Sequence, residues 1–259
     1  EDRKGVPTGM TTTQGGGMIT NLSSNYSQHR SMYFTASAHY AYKGRYIIDG
    51  SLRADGTTKF GPSSRWGYFP SAAAGWRLSD EPFMEGTQKW LDNLKLRLSI
   101  GTSGNDDIDA SLWKEYWIPE ITWNGDKRTI TFKPGDILAN PDLKWETTIS
   151  RNIGIDYRLW KGKVHGAIEL YWNTTKDILM RVPVAESTGH SYQYQNIGKT
   201  SNKGVEFSVF YDIVRSKNFN LDLSATYSYN RNKVEKVMDG VNADTNTNWG
   251  STTKRPYND

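Results

Sequence analysis

Two features are missing from this sequence of 259 residues: it has no cysteine and no long apolar run. Without cysteine there are neither disulfides nor thiolate metal ligands. No segment reaches the roughly 18 to 20 apolar residues of a transmembrane helix. A strong excess of one charge is missing too, since 32 Lys and Arg are interspersed with 28 Asp and Glu for a formal net charge of +4. This balance argues against a nucleic-acid partner.

Common signatures of hydrolases and nucleotide-binding proteins are also absent. The four histidines, His29, His39, His165 and His190, are scattered, and neither HExxH nor GxSxG occurs. The glycine run at 15–17 is not followed by the Lys-Ser/Thr of a phosphate-binding loop. The sequence therefore predicts a protein that is not an enzyme and has no resident cofactor.

Aromatic residues, in contrast, are abundant in a chain that is polar on average. The mean hydropathy is −0.71, yet there are 10 Trp and 15 Tyr. Disordered chains are poor in aromatic residues. The hydrophobicity of this chain must therefore be local and patterned.

The pattern is an alternation of period two that recurs in eight segments. In WGYFPSAAAGWRL (66–78), for example, Trp66, Tyr68 and Trp76 share one phase, and small or polar residues fill most of the other. The eight segments are 32–42, 46–54, 66–78, 94–100, 145–159, 164–172, 205–211 and 219–229. Such alternation predicts half-buried β-strands. The longer segments match the roughly 9 to 11 residues that a strand needs to cross a membrane, whereas strands of soluble sheets average about 5 to 6.

The connections between these strands alternate in length. Short connections lie at 43–45, 79–93, 161–162 and 213–218. Long ones lie at 1–30, 55–65, 102–144, 173–204 and 230–259. Short turns at one end of the strands and long loops at the other are typical of an outer-membrane β-barrel. The sequence thus predicts an all-β fold, an antiparallel transmembrane β-barrel segment of about eight strands.

The two phases of the alternation predict two different surroundings. With the long loops outside, the aromatic residues of the apolar phase gather at two levels, as in the girdles of a membrane barrel. We expect lipid-facing girdle positions for Trp66, Trp76, Trp145 and Trp172. The other phase is charged, and we expect it to face the lumen at Arg53, Lys95, Arg97, Glu169 and Glu206. A soluble β-protein with one solvated face would explain the alternation equally well, but not the two aromatic levels.

Several long blocks resemble one known family. They are LRADGTTKFGPSSRWGYFPSAAAGWRLSDEPFM (52–84), LDNLKLRLSIGTSGND (91–106), NPDLKWETT (140–148), YWNTTKDIL (171–179) and NIGKTSNKGVEFSV (196–209). In content and order they resemble the SusC/RagA-type TonB-dependent outer-membrane transporters of Bacteroidetes. The resemblance covers roughly residues 31–230.

The resemblance implies a cell outer membrane location, in a Gram-negative bacterium, and a 22-stranded barrel with an N-terminal plug. Such transporters import glycans, oligosaccharides or peptides. A SusD-like surface lipoprotein closes over the mouth as a lid, and TonB supplies energy through the plug. No plug region and no terminal barrel strand are found here, so residues 1–259 are expected to form part of such a barrel. The lumen-phase charges become candidates for plug contacts.

Two sets of outer-loop residues are candidates for binding. Aromatic rings stack on sugars and anchor protein interfaces, and we expect contacts with the ligand or the lid at Trp113, Tyr116, Trp117, Trp123, Tyr192 and Tyr194. A calcium site at Asp106, Asp107 and Asp109 is a weaker candidate, because the spacing is not that of an EF-hand. A non-transporting outer-membrane barrel or adhesin, and a soluble carbohydrate-binding β-domain, are the alternative functions.

Overall fold

The computed structural model describes residues 28–124, 127–238 and 241–242, and strands dominate them. In chain order the strands are β1 (Ser31–Tyr42), β2 (Tyr46–Thr57), β3 (Trp66–Arg77), β4 (Leu91–Asn105), β5 (Trp117–Asn124), β6 (Lys127–Pro134), β7 (Ile137–Leu138), β8 (Glu146–Leu159), β9 (Val164–Lys176), β10 (Leu179–Pro183), β11 (Tyr192–Asn196), β12 (Lys199–Arg215), β13 (Asn220–Met238) and β14 (Val241–Asn242). Three short 3-10 helices lie at Leu78–Asp80, Pro82–Thr87 and Glu186–Thr188.

One antiparallel sheet contains all the long strands, in the order β1-β2-β3-β4-β8-β9-β12-β13-β14. Eight of these strands lie at the eight alternating segments of the sequence, so the predicted all-β architecture is confirmed. The ninth, β14, adds two residues at the edge. The described sheet is open, with β1 and β14 at its two edges.

Several strands continue further toward the long connections than the alternation predicts. β4 runs to Asn105, β12 begins at Lys199 and β13 runs to Met238, so parts of the expected loops 102–144, 173–204 and 230–259 are strand. The outer strand ends are polar in both phases, which hides the period of two. Pairing continues there through residues such as Thr148 and Thr175, whose hydroxyl oxygens lie 2.9 Å apart. Residues 1–27 and 243–259 of the expected terminal loops lie outside the described residues.

The short connections are tight and specific. Lys43 and Gly44 both have positive φ, 51° and 67°, in the turn from β1 to β2, and only glycine adopts this region without cost. The connection from β3 to β4 is anchored by Glu81, which accepts hydrogen bonds from the Tyr46 hydroxyl (2.5 Å) and Trp76 Nε1 (3.0 Å). These bonds stabilise the carboxylate and hold the pKa of Glu81 below its usual range.

The fully buried apolar side chains do not lie under the sheet. Phe60 and Leu143 are completely buried and, with Leu112, form a cluster within the long connections. Large apolar residues on the sheet itself are exposed, as at Tyr40 and Leu98. The sheet thus has two faces that its own described residues do not cover. Among the same residues, no helix has the length and apolarity needed to cross a membrane.

Candidate functional site

The apolar face of the sheet is continuous across all eight long strands. One row of paired residues consists of Tyr40, Ile48, Ala74, Leu98, Ile153, Leu170, Val205 and Tyr229. Register fixes this face, because a slip by one residue would turn every side chain to the other side. Such an unbroken apolar row suits contact with lipid.

Aromatic rings border the apolar face at both ends of the strands. Near the short turns, Tyr46 stacks with Tyr42 and with Trp76, each at 6.4 Å between ring centroids. Near the long connections, Phe34 stacks with Trp66 at 6.1 Å. The register places Trp66, Trp76 and Trp172 on the apolar face, as the sequence predicts.

Trp145 departs from the expected girdle. It precedes β8, which begins at Glu146, so the alternation of the strand does not orient it. Its ring packs 5.4 Å from Phe60 and 5.6 Å from Phe69, and its Nε1 donates to the backbone oxygen of Arg65 at 3.2 Å. The expectation of a lipid-facing Trp145 is therefore corrected: this ring joins the sheet to the loops.

The opposite face of the sheet carries a network of charges centred on Arg97. Its Nε and Nη2 donate to the two carboxylate oxygens of Asp156 at 2.8 and 2.9 Å, and Nη2 also reaches Glu169 at 2.5 Å. Gly154 lies on β8, in register with Arg97 on β4 and with Glu169 on β9. A Cβ at residue 154 would lie 3.0 Å from the Arg97 guanidinium. The absence of a side chain at residue 154 lets one arginine bridge two neighbouring strands.

The other expected lumen residues share this face but not the network. Arg53 bonds Asp55 in its own strand at 2.7 Å and lies over the Tyr33 ring. Lys95 lies two residues before Arg97 on β4, so its side chain is on the same face. Glu206 pairs in register with Glu169, and no ion-pair partner for it is found among the described residues. Glu206 is thus a carboxylate open to a further contact.

The long connections pack into one unit, here called the loop cluster, built on Phe60, Leu112 and Leu143. These buried residues come from irregular segments, and no periodic signal in the sequence identifies them. His190 is also buried there, with Nδ1 2.7 Å from the backbone oxygen of Gly135. The outer loops are therefore held together by a small core of their own.

Three of the expected contact residues belong to this packing. Trp113 donates from Nε1 to the backbone oxygen of Thr58 at 3.3 Å. Tyr194 packs against the buried cluster. The Tyr192 ring lies edge-on to the Tyr194 ring, with 6.2 Å between the ring centroids. Tyr192 is also covered by the guanidinium of Arg181 at 4.6 Å. These rings stabilise the loops.

The other expected contact residues lie on a hairpin formed by β5 and β6. Trp117 pairs with Pro134 and Pro119 with Phe132, so these four residues share one face of the hairpin. Trp117 is 55% exposed and Phe132 65% exposed. The opposite face carries Ile118 and the polar residues Glu120, Thr131 and Lys133, with an ion pair between Lys133 and Glu120 at 3.6 Å. In the described part of the chain, no third strand joins this sheet.

Two further candidates complete this hairpin. Tyr116 lies at its base, where its backbone oxygen accepts from Gly135, and its side chain is exposed. Trp123 pairs with Arg128 along the backbone, and its side chain lies outside the described residues. The exposed apolar residues Ile130 and Phe132 of the same hairpin were not among the expected contact residues. The alternation of Trp117, Pro119, Ile121 and Trp123 in WIPEITWN was the signal that could have revealed the hairpin.

The candidate calcium ligands are not gathered into a site. Asp106 lies 3.8 Å from Lys59 Nζ, and Asp107 and Asp109 are exposed. No group of three or more histidine, aspartate or glutamate side chains that could hold a metal ion is found within residues 28–124 and 127–238.

Comparisons with known proteins agree with this architecture. A family model described as TonB dependent receptor-like, beta-barrel, matches residues 3–258. TonB-dependent receptor P26 of Formosa agariphila is 37% identical over 216 residues, covering 82% of this chain and 21% of that protein. TonB-dependent receptor SusC of Bacteroides thetaiotaomicron is 33% identical over 215 residues, covering 80% and 21%.

Solved structures give the same result. The RagAB peptide importer in its open-open state superposes with a TM-score of 0.75 at 28% identity, covering 85% of this chain and 24% of that one. The siderophore receptor PirA of Pseudomonas aeruginosa, at 14% identity and a TM-score of 0.52, shares the fold alone. The chain spans about a fifth of the length of the curated relatives it matches. The match over nearly the whole chain shows that this protein belongs to the TonB-dependent receptor family of outer-membrane β-barrels.

Proposed function

We propose that this chain forms part of the wall and mouth of a TonB-energised importer of nutrients, with a SusD-like lipoprotein as its lid. The observation that carries the proposal is the combination of a two-faced sheet with an exposed apolar hairpin above it. The relatives named above include a SusC receptor and a peptide importer. Glycans, oligosaccharides and peptides are accordingly the proposed nutrients.

The hairpin is the proposed docking point for the lid. A two-stranded hairpin alone is marginally stable in water, and large exposed apolar patches mark sites of interaction. Trp117, Ile130 and Phe132 present such a patch at the end of the strands where the long connections lie. Aromatic anchors of this kind dominate the energy of protein interfaces. The loop cluster beneath gives the hairpin a packed base.

The polar face is the proposed seat of the plug through which TonB acts. Arg97 already bonds carboxylates of the wall itself. Glu206 and Lys95, for which no ion pair is found among the described residues, are therefore better placed than Arg97 to meet plug residues. Arg53, which bonds Asp55 of its own strand, is a further candidate. Opening of the path would break these weaker contacts and leave the wall network in place. No enzymatic activity is part of the proposal.

The experiment replaces one face of the hairpin at a time in the intact protein in its native bacterium. A variant with Trp117→Ser, Ile130→Ser and Phe132→Ser is compared with a control that carries Glu120→Ser, Thr131→Ser and Lys133→Ser on the other face. Growth is scored on single glycans and on peptides, and co-purification of a surface lipoprotein is measured. We expect the apolar-face variant to lose both, at unchanged outer-membrane levels, while the control keeps both.

The outcomes separate the alternatives. Loss of growth on one nutrient identifies the class of substrate. Unchanged growth on every nutrient and unchanged lipoprotein recovery in the apolar-face variant would contradict lid docking. If complete deletion of the gene also left growth unchanged on every nutrient, a non-transporting barrel or adhesin would replace the importer. A soluble carbohydrate-binding domain does not agree with membership of an outer-membrane family.

A further inference from the structure

The apolar face of the sheet carries a local excess of positive charge. Arg151, Trp172, Lys203 and Arg231 form one row of paired residues across β8, β9, β12 and β13. Each residue of this row lies two positions along its own strand from a member of the apolar row that contains Leu170 and Val205. Because side chains alternate between the faces of a strand, the two rows face the same side of the sheet. We call Arg151, Lys203 and Arg231, with Trp172 between them, the basic patch.

On β9, β12 and β13, more lysines lie beyond the basic patch toward the long connections. The apolar face of β1 to β4 has no such charges. Ser201 pairs with Lys233 in the next row, and Lys176 pairs with Lys199 in the row after that. From β1 to β4, the same face carries no charged residue in the paired positions from Met32 to Ile100. The positive charge of this face therefore lies on β8, β9, β12 and β13 and not on β1 to β4.

The basic patch lies at the depth where a membrane interface is expected. Trp172 belongs to the row itself, and Tyr229, another ring of the outer level, is two positions from Arg231 toward the short turns. The cost of a cation on the lipid face falls from about 2–4 kcal/mol at mid-membrane to about 0–1 near the interface. Long Lys and Arg side chains extend toward the interface, so we expect the cations of the basic patch to reach lipid headgroups.

No acid neutralises the patch within the part of the chain that the structure describes. Arg151, Lys203 and Arg231 have no ion pair there, and the nearest acid along β13, Glu235, is paired with Lys199. Asp177, at the end of β9, is paired with Lys144 at 3.0 Å. A partner of the basic patch must consequently be an anion from outside the described wall.

We propose that the basic patch binds the phosphate groups of phosphorylated glycolipid headgroups in the outer leaflet. Neighbouring strands are about 4.8 Å apart, so the row from Arg151 to Arg231 spans about 14 Å, the scale of a lipid headgroup. Arginine binds phosphate oxygens through two parallel N–H donors. The indole of Trp172 lies at the interface between them. The inference rests on the outer-membrane location and is independent of the nutrient.

The test uses the intact protein, purified from the outer membrane and delipidated in mild detergent. The variant carries Arg151→Gln, Lys203→Gln and Arg231→Gln. The matched control carries Lys43→Gln, Lys89→Gln and Lys217→Gln, three exposed cations of the short connections at the other end of the strands. The thermal midpoint is titrated with phosphorylated glycolipid, with the same lipid after dephosphorylation, and with inorganic phosphate.

We expect the phosphorylated lipid to bind the parent and the control alike. Each Lys or Arg near an anionic membrane surface contributes about fivefold, so the patch variant should bind on the order of 100-fold more weakly. A second variant, Arg151→Lys, Lys203→Arg and Arg231→Lys, keeps the charge and should keep the binding. Equal binding by patch variant and parent, or equal shifts with dephosphorylated lipid or inorganic phosphate, would overturn the proposal.

Discussion

At the scale of the residue, the charges of the polar face have unequal roles. Arg97 bridges Asp156 and Glu169, which are 59 and 72 residues away in sequence. Alternation predicts the face on which Arg97 lies, since the period of two fixes it. It does not predict the partners, because these depend on the register between distant strands. Gly154 reads as an ordinary glycine until that register is known.

Replacing Arg97 should destabilise the wall. Arg97→Gln leaves Asp156 and Glu169 next to each other without their cation. Arg97 is about a third exposed, and solvent screening limits the loss in free energy of unfolding to on the order of 1 kcal/mol. The control is Lys95→Gln, two residues away on the same face of β4, and it should change the free energy of unfolding by less. Urea unfolding of both variants in detergent checks this, and equal stabilities would contradict the bridging role.

At the scale of the element, the sequence predicts strands better than it predicts loops. The eight long strands follow from alternation, because lipid on one face and polar groups on the other impose a period of two. Their outer ends do not, since both faces are polar there. The loop cluster is also unpredicted, because single residues from separate irregular segments form it. Trp145 is predicted wrongly for the same reason: it lies just outside β8.

The loop cluster should open when its centre is emptied. Phe60 is completely buried, and Phe→Ala in such a site costs about 3–5 kcal/mol. Because the cluster is small, Phe60→Ala should expose the long connections to protease on intact cells while the barrel stays folded. Phe83→Ala removes a 68% exposed ring from a short connection and serves as the control. Digestion at the parent rate in Phe60→Ala would show that other contacts hold the loops.

At the scale of the whole molecule, the described residues form an open sheet with two edges and two faces that they do not cover. Open edges leave backbone groups unpaired, and none can remain so in lipid. The described strands therefore need further strands at β1 and β14. The resemblance of the sequence to a family of 22-stranded barrels already implies this, and the relatives, about five times longer, agree with it.

The most direct test of the account asks which face of the sheet meets lipid. The chain has no cysteine, so a single introduced one reports its own position. A nitroxide would be attached in turn to Leu96→Cys, Leu98→Cys and Ile100→Cys, and to Ser99→Cys and Gly101→Cys, in the intact protein in membranes. We predict high collision rates with oxygen dissolved in lipid at the first three positions and low rates at the other two. Equal rates along β4, with equal access to a water-soluble relaxant, would contradict a barrel wall in the outer membrane.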